Sequence, residues 1–326
     1  MKKLQITLAI LLISMVGLCQ DVEQKQPKGK IYGTIFSNFH YLFGDENHYE
    51  GFELKRAYLG YKYQFDNNFS AKILLDAGNP GDNSKYEYTV FVKNAFLKWS
   101  KNDISLRFGI FTTNSFIEQQ RLWNHRYVYQ VFVTQYHFDN SADLGISFDY
   151  KLSKNFSFDA SITNGEGYKK IQKNDKYKYS LGFSYKNKGF IARLYADIST
   201  KNDYDFNNED IEVRKEDPNE DQQSVLFFLG YKSEKFSVGG EYNNLSNFNF
   251  RKDENVEGYS IYSTYNFTKR QHIYGRFDNL SDSENNSLTT LILGYEISPI
   301  SHIRISPNIR IIEDLNFFYL NLKIQF

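Results

Sequence analysis

The residues of this chain best placed to act on a solute are arginines and lysines that alternate with apolar neighbours. A strand turns successive side chains to opposite faces. Ala57, Leu59, Tyr61, Tyr63 and Phe65 therefore share one face, and Arg56, Tyr58, Gly60, Lys62 and Gln64 share the other. The same parity sets Lys72 and Asp76 against Ala71, Ile73 and Leu75, and Arg107 against Leu106, Phe108 and Ile110. It sets Asp143, Ser147 and Asp149 against Leu144, Ile146 and Phe148, and places Arg193 with Asp197, Arg276 with Asp278, and His302 with Arg304 and Arg310 on polar faces. A guanidinium holds an oxyanion through two parallel hydrogen bonds, so this chemistry is reversible capture of anions. The polar faces carry Arg56, Lys72, Lys98, Arg107, Arg193, Arg276, Arg304 and Arg310, against Asp76, Asp143, Asp149, Asp159, Asp197, Glu241, Asp278 and Glu296. The two sets nearly balance, so parity alone does not decide ion selectivity.

A second group lies in Thr112–Asn140, the longest connection. Arg121, His125 and Arg126 sit there among Phe116, Ile117, Leu122, Trp123, Tyr127, Val128, Tyr129, Val131, Phe132, Val133 and Tyr136. A connection left in water would not carry so much apolar surface. The reading is a loop folded back into a channel, with Arg121, His125 and Arg126 toward the solute; a ring of arginines selects anions. The alternative, in which they pair with wall carboxylates such as Asp143, stands level with it.

The elements that must position these residues are strands. The chain has 326 residues, 41% hydrophobic and 17% aromatic, with a formal net charge of zero. Zero net charge argues against a nucleic-acid partner. Beyond the front of the chain no apolar run is long enough for a spanning helix. Strands alternate with short polar turns and longer polar loops, about 16 of them, an even number, from Lys30–Phe43 to the terminal Leu315–Phe326. That beat predicts an all-β fold, a transmembrane antiparallel β-barrel with a folded-in third extracellular loop. Lipid offers the backbone no partner, so the last strand must pair with the first. At this size an aqueous channel remains inside. A soluble sheet would need a core to match so many apolar faces.

Residues 1–19, with Lys2, Lys3 and the apolar Leu4–Leu18, read as an export signal, 20–29 as a periplasmic lead-in and 30–326 as the barrel. Cleavage after Cys19, the only cysteine, would leave Gln20 first and no thiol; acylation of Cys19 is the less favoured reading because Leu18 is not small. The expected location is the outer membrane of a Gram-negative cell, with the assembly machinery reading Phe326. No cofactor, metal or nucleotide motif is visible. The 6 His residues include no nucleophile setting, which disfavours a barrel phospholipase. A receptor or adhesin acting through its loops is the other alternative; the acidic Asn202–Asp221 reads as a solvated loop.

Several short segments together resemble the phosphate-selective porin O and P family in its Bacteroidetes form. They are Leu54–Gly60 with Lys72 and Asp76, Asn94–Leu97, Arg107–Phe111, Asp143–Gly145, Thr163–Gly167, Glu241–Tyr242 and Arg276–Asp278. The resemblance implies a 16-stranded, usually trimeric channel for small ionic solutes whose third loop sets selectivity. Arg56, Arg107, Arg121 and Arg126 are the residues it carries over. One departure stands out: phosphate-selective members use lysines in that loop, and Thr112–Asn140 has none.

Overall fold

The computed structural model describes residues 28–44, 49–79, 88–172, 176–201, 204–207, 210–213 and 220–326. The expected export signal, with Cys19, and most of the lead-in lie outside the described residues. The first strand starts at Lys28, two residues before the expected barrel boundary.

Sixteen strands close into one antiparallel barrel. They are β1 (Lys28–Leu42), β2 (Glu50–Gln64), β3 (Phe69–Gly78), β4 (Thr89–Lys101), β5 (Ile104–Phe111), β6 (Asp143–Lys151), β7 (Phe156–Thr163), β8 (Lys178–Asn187), β9 (Phe190–Ser199), β12 (Gln222–Lys232), β13 (Phe236–Ser246), β14 (Val256–Thr268), β15 (Gln271–Asp282), β16 (Ser287–Ile300), β17 (Ile303–Ile312) and β18 (Leu315–Gln325). Each pairs with its chain neighbour, β9 pairs with β12, and β18 returns to β1. Phe326 completes the closure: Gly33 N–H donates to its carbonyl at 2.9 Å and its own N–H donates to Gly33 at 3.1 Å. Between β9 and β12 the acidic connection forms a separate hairpin, β10 (Tyr204–Asn207) with β11 (Asp210–Val213), where the sequence reading had only a loop. The β5–β6 connection holds two short helices, α1 (Ile117–Trp123) and α2 (Phe132–Gln135).

The parity reading describes the wall. On β2 Leu59 is 52% exposed and its neighbour Tyr58 only 7%. Outside, Ile73, Phe108, Ile146, Leu181, Leu229, Ile261 and Leu293 form an exposed apolar band. Aromatic pairs rim it at the short-turn end: Tyr63 with Phe65 at 4.9 Å, Phe156 with Tyr185 at 4.9 Å, Phe190 with Tyr231 at 4.7 Å, and Tyr265 with Phe267 at 5.1 Å. At the long-loop end Phe52, Tyr177, Tyr242 and Tyr259 are exposed. Apolar bands between aromatic girdles are what a barrel wall meets in lipid and its two interfaces. We call the two ends the turn rim and the loop rim. The buried cluster lies inside the barrel, where Phe116, Leu122, Trp123, Tyr127, Val128, Val131, Phe132 and Phe138 of the β5–β6 connection pack on Phe36, Tyr58, Tyr195, Leu226, Phe228, Tyr262, Tyr274 and Ile292 of the wall.

Candidate functional site: a lumen with two unlike walls

The β5–β6 connection is bolted to the wall by hydrogen bonds that satisfy its own backbone. Arg276 Nη1 donates to the Gln130 carbonyl at 2.6 Å and Arg310 Nη2 to the Val128 carbonyl at 2.9 Å. Tyr127 O–H donates to Glu296 at 2.8 Å, Tyr136 O–H to Asp278 at 3.1 Å, and Tyr262 O–H to the Gln119 carbonyl at 3.2 Å. Apolar packing, wall tyrosines and wall arginines thus hold one segment across the lumen.

Where this segment meets β7–β9 and β15, charges cancel. Arg193 holds Asp159 through both nitrogens at 2.8 and 3.0 Å, and Arg276 holds Asp278 the same way at 2.8 Å. Lys178 bridges Asp139 at 2.7 Å and Asp197 at 3.1 Å. Arg193 and Arg276 are 4% and 2% exposed. They were expected to line the pore; they are buried, paired struts, because each carboxylate stands where a guanidinium can reach it. His125 also differs from expectation. It is 1% exposed, lies against Tyr274 at 4.2 Å between ring centroids, and donates from Nδ1 to the Trp123 carbonyl at 2.6 Å. Burial pushes its pKa down to about 4, against the pull of Glu296 nearby. His302 is not on the wall at all; it sits exposed in the β16–β17 turn with Nδ1 against the Gln325 carbonyl. Asp143 takes the backbone N–H groups of Leu144 and Gly165 rather than a loop arginine.

The opposite wall is basic. Near the loop rim, Asp76 is fully buried and ringed by cations. Arg56 Nη1 is 2.7 Å from it, Lys93 Nζ is 3.7 Å away, and Tyr168 O–H donates to it at 2.7 Å. Desolvation beside that carboxylate drives the Tyr168 phenol well above its ordinary pKa. Arg126 of the folded-in segment lies over Tyr58 at 5.7 Å, and Lys93 lies over the same ring at 5.8 Å. Two β-bulges build this cluster. On β2, Arg56 faces Phe36 and Leu54 faces Ser37, so Lys55 is an extra residue; on β4, Asn94 faces Leu74 and Val92 faces Leu75, so Lys93 is extra. A bulge breaks the two-residue period and turns adjacent side chains toward one side. Strict alternation from the sequence could not find Lys55 or Lys93. Arg121 is separate: it is 65% exposed and pairs with Glu118, which Lys186 of β8 also holds.

Toward the turn rim the basic wall continues over adjacent strands β17, β18 and β1–β5. Arg304 stands directly opposite Lys323, Lys30 opposite Lys62, Lys62 opposite Lys72, and Lys98 opposite Arg107. Like charges facing each other across strands are destabilising unless water and counter-ions fill the space. Along this arc only Arg107, with Asp149 at 3.3 Å, and Arg304, with Glu296 at 3.6 Å, reach a carboxylate among the described residues. Lys72 donates to the Asn94 side-chain oxygen Oδ1 at 2.7 Å, and Lys62 lies over Tyr32. Lys323 comes to face Arg304 through the register of the β17–β18 hairpin.

No known family model matches this sequence, and no curated protein matches it. Solved structures do. The anion-selective porin from Comamonas acidovorans is similar over 92% of this chain and 100% of its own, with TM-score 0.69 and 12% identity. Salmonella typhi OmpF is similar over 94% of this chain and 100% of its own, with TM-score 0.68 and 11% identity. The outer membrane channel DcaP of Acinetobacter baumannii is similar over 95% of this chain and 100% of its own, with TM-score 0.64 and 12% identity. At such identities the likeness is one of fold, and the fold is the closed 16-strand barrel of outer-membrane porins.

Proposed function

We propose that the protein is a passive channel of the bacterial outer membrane for small hydrophilic solutes, with a preference for anions, and that it transports rather than catalyses. One observation carries this reading. Asp139, Asp159, Asp197 and Asp278 are held in buried pairs on one wall, while the facing wall keeps Lys30, Lys62, Lys98 and Lys323 without a carboxylate at ion-pair distance among the described residues. A nearly balanced list of charges thus becomes a field of one sign along the water path, and such a field raises the local concentration of the opposite ion. The Comamonas structure, described as an anion-selective porin, has the same fold. Long loops face outside and short turns the periplasm in this reading. A homotrimer, expected from the sequence resemblance, is in keeping with a similar structure described as a trimer form.

The Thr112–Asn140 segment forms the constriction, and Arg56 of the wall and Arg126 of the segment present charge to a solute there. Phosphate over other anions is the finer reading: the forked guanidinium donors of Arg56 and Arg126 suit an oxyanion. Reversal potentials across a planar bilayer in a KCl gradient test the anion preference, and replacement of chloride by phosphate tests the finer one. Potentials of cation sign in wild-type protein would refute the proposal.

A further inference from the structure

A separate polar cavity of about 570 Å³ opens at the turn rim, lined by Lys269, Arg270, His272, Glu296, Ser298, Ile300, Ser301 and Arg304. Its walls are fixed. Arg270 Nη1 donates to the Pro299 carbonyl at 3.2 Å and Ser298 N–H to the Arg270 carbonyl at 2.8 Å, lacing the β14–β15 turn to the end of β16. His272 Nδ1 is tied to Asn266 at 2.7 Å. Glu296, the one carboxylate of the lining, is 1% exposed. Tyr127 O–H donates to its Oε2 at 2.8 Å, and His125 Nε2 at 3.5 Å, Arg304 at 3.6 Å and His272 Nε2 at 3.8 Å stand around it. Lys269, Arg270 and Arg304 therefore outnumber the negative charge, and neither Lys269 nor Arg270 has a carboxylate partner among the described residues. Two seryl hydroxyls add donors that can turn to an acceptor.

We propose that this cavity is a binding site for a multivalent oxyanion of the phosphate type, apart from the constriction. Forked guanidinium donors, a point-charge ammonium and hydroxyls match tetrahedral oxyanions, and the excess of cations favours a multivalent anion over a singly charged carboxylate. The site also touches the constricting segment: Arg304 Nη1 is 3.5 Å from the Asn124 carbonyl, and Glu296 anchors Tyr127. An oxyanion that draws Arg304 toward the cavity takes it from Glu296 and Asn124, so occupancy acts on the segment that narrows the channel. Binding itself does not depend on the channel reading; its effect on current does.

Inorganic pyrophosphate is the probe, titrated by calorimetry into the full-length barrel in detergent, with acetate as the monocarboxylate control and Lys269→Gln/Arg270→Gln as the variant. Wild type is expected to bind pyrophosphate with stoichiometry near one per chain at the rim and to prefer it to acetate, and the variant to bind at least tenfold more weakly. In a bilayer, pyrophosphate added at the turn-rim side is expected to change KCl conductance at lower concentration than from the loop-rim side, and the variant to lose that asymmetry. A wild type that binds no pyrophosphate, a double variant that binds as tightly, or binding lost only in Lys93→Gln would overturn the site. Normal binding with no KCl conductance would leave the site standing and remove the channel.

Discussion

Replacing Arg126 by Gln should separate selectivity from stability. Arg126 has no carboxylate partner among the described residues; its guanidinium lies over Tyr58, near Lys55 and Lys93. Removing it breaks no buried ion pair, so the barrel should melt within about 0.5 kcal/mol of wild type, as for a substitution away from such features. Its effect on solutes is larger. A unit charge about 6 Å from a permeating ion in water is worth about 0.7 kcal/mol. That is about threefold in the local population of an anion, and about threefold the other way for a cation. Near 0.1 M salt, where the screening length is about 10 Å, screening cuts this energy to about 0.4 kcal/mol, so the anion-to-cation permeability ratio should fall about fourfold. In about 1 M salt, with a screening length of about 3 Å, the difference should nearly vanish. Reversal potentials at both concentrations check this. An unchanged ratio at low salt, or a change that salt does not touch, would show that Arg126 does not face the water path and that the constriction has been misplaced.

Arg276→Gln should behave in the opposite way. It leaves Asp278 buried and short of its partner, which costs about 3–5 kcal/mol, so the loss should appear as a lower unfolding temperature and poorer refolding. Gly109→Ala should block assembly: Gly109 has φ of +122°, and a Cβ there would lie 2.2 Å from the Ala95 carbonyl oxygen. Refolding yield into the heat-resistant form measures it. His125 gives a pH signature. Its folded pKa of about 4 lies below the free value of 6.5, so the unfolded chain binds the proton first as pH falls. Its contribution, about 3 kcal/mol at most, is fully present above pH of about 6.5 and lost by about 4. Unfolding followed from pH 7 to 4 should show that slope in wild type and a flatter one in His125→Asn.

Much of the fold was written in parity. Leu59, Ile73, Phe108 and Ile146 alternate with Tyr58, Lys72, Arg107 and Ser147, and a two-residue period has a single physical solution once both faces have assigned solvents. The apolar load of Thr112–Asn140 likewise foretold a segment that leaves water. The residues that shape the lumen field were harder, for two reasons. Lys55 and Lys93 enter through bulges, and one extra residue in a strand reverses every inference made by counting in twos. Arg193 and Arg276 share the parity of Arg56, yet only their reach to Asp159 and Asp278 turns them from solute ligands into struts; that reach depends on cross-strand register and on the segment folded over them. Alternation states which side of the wall a charge is on. Whether it is free to meet a solute is decided by what stands opposite, and opposite in a closed barrel includes the pairing of β18 with β1, which brings Lys323 into line with the basic face of the first strands.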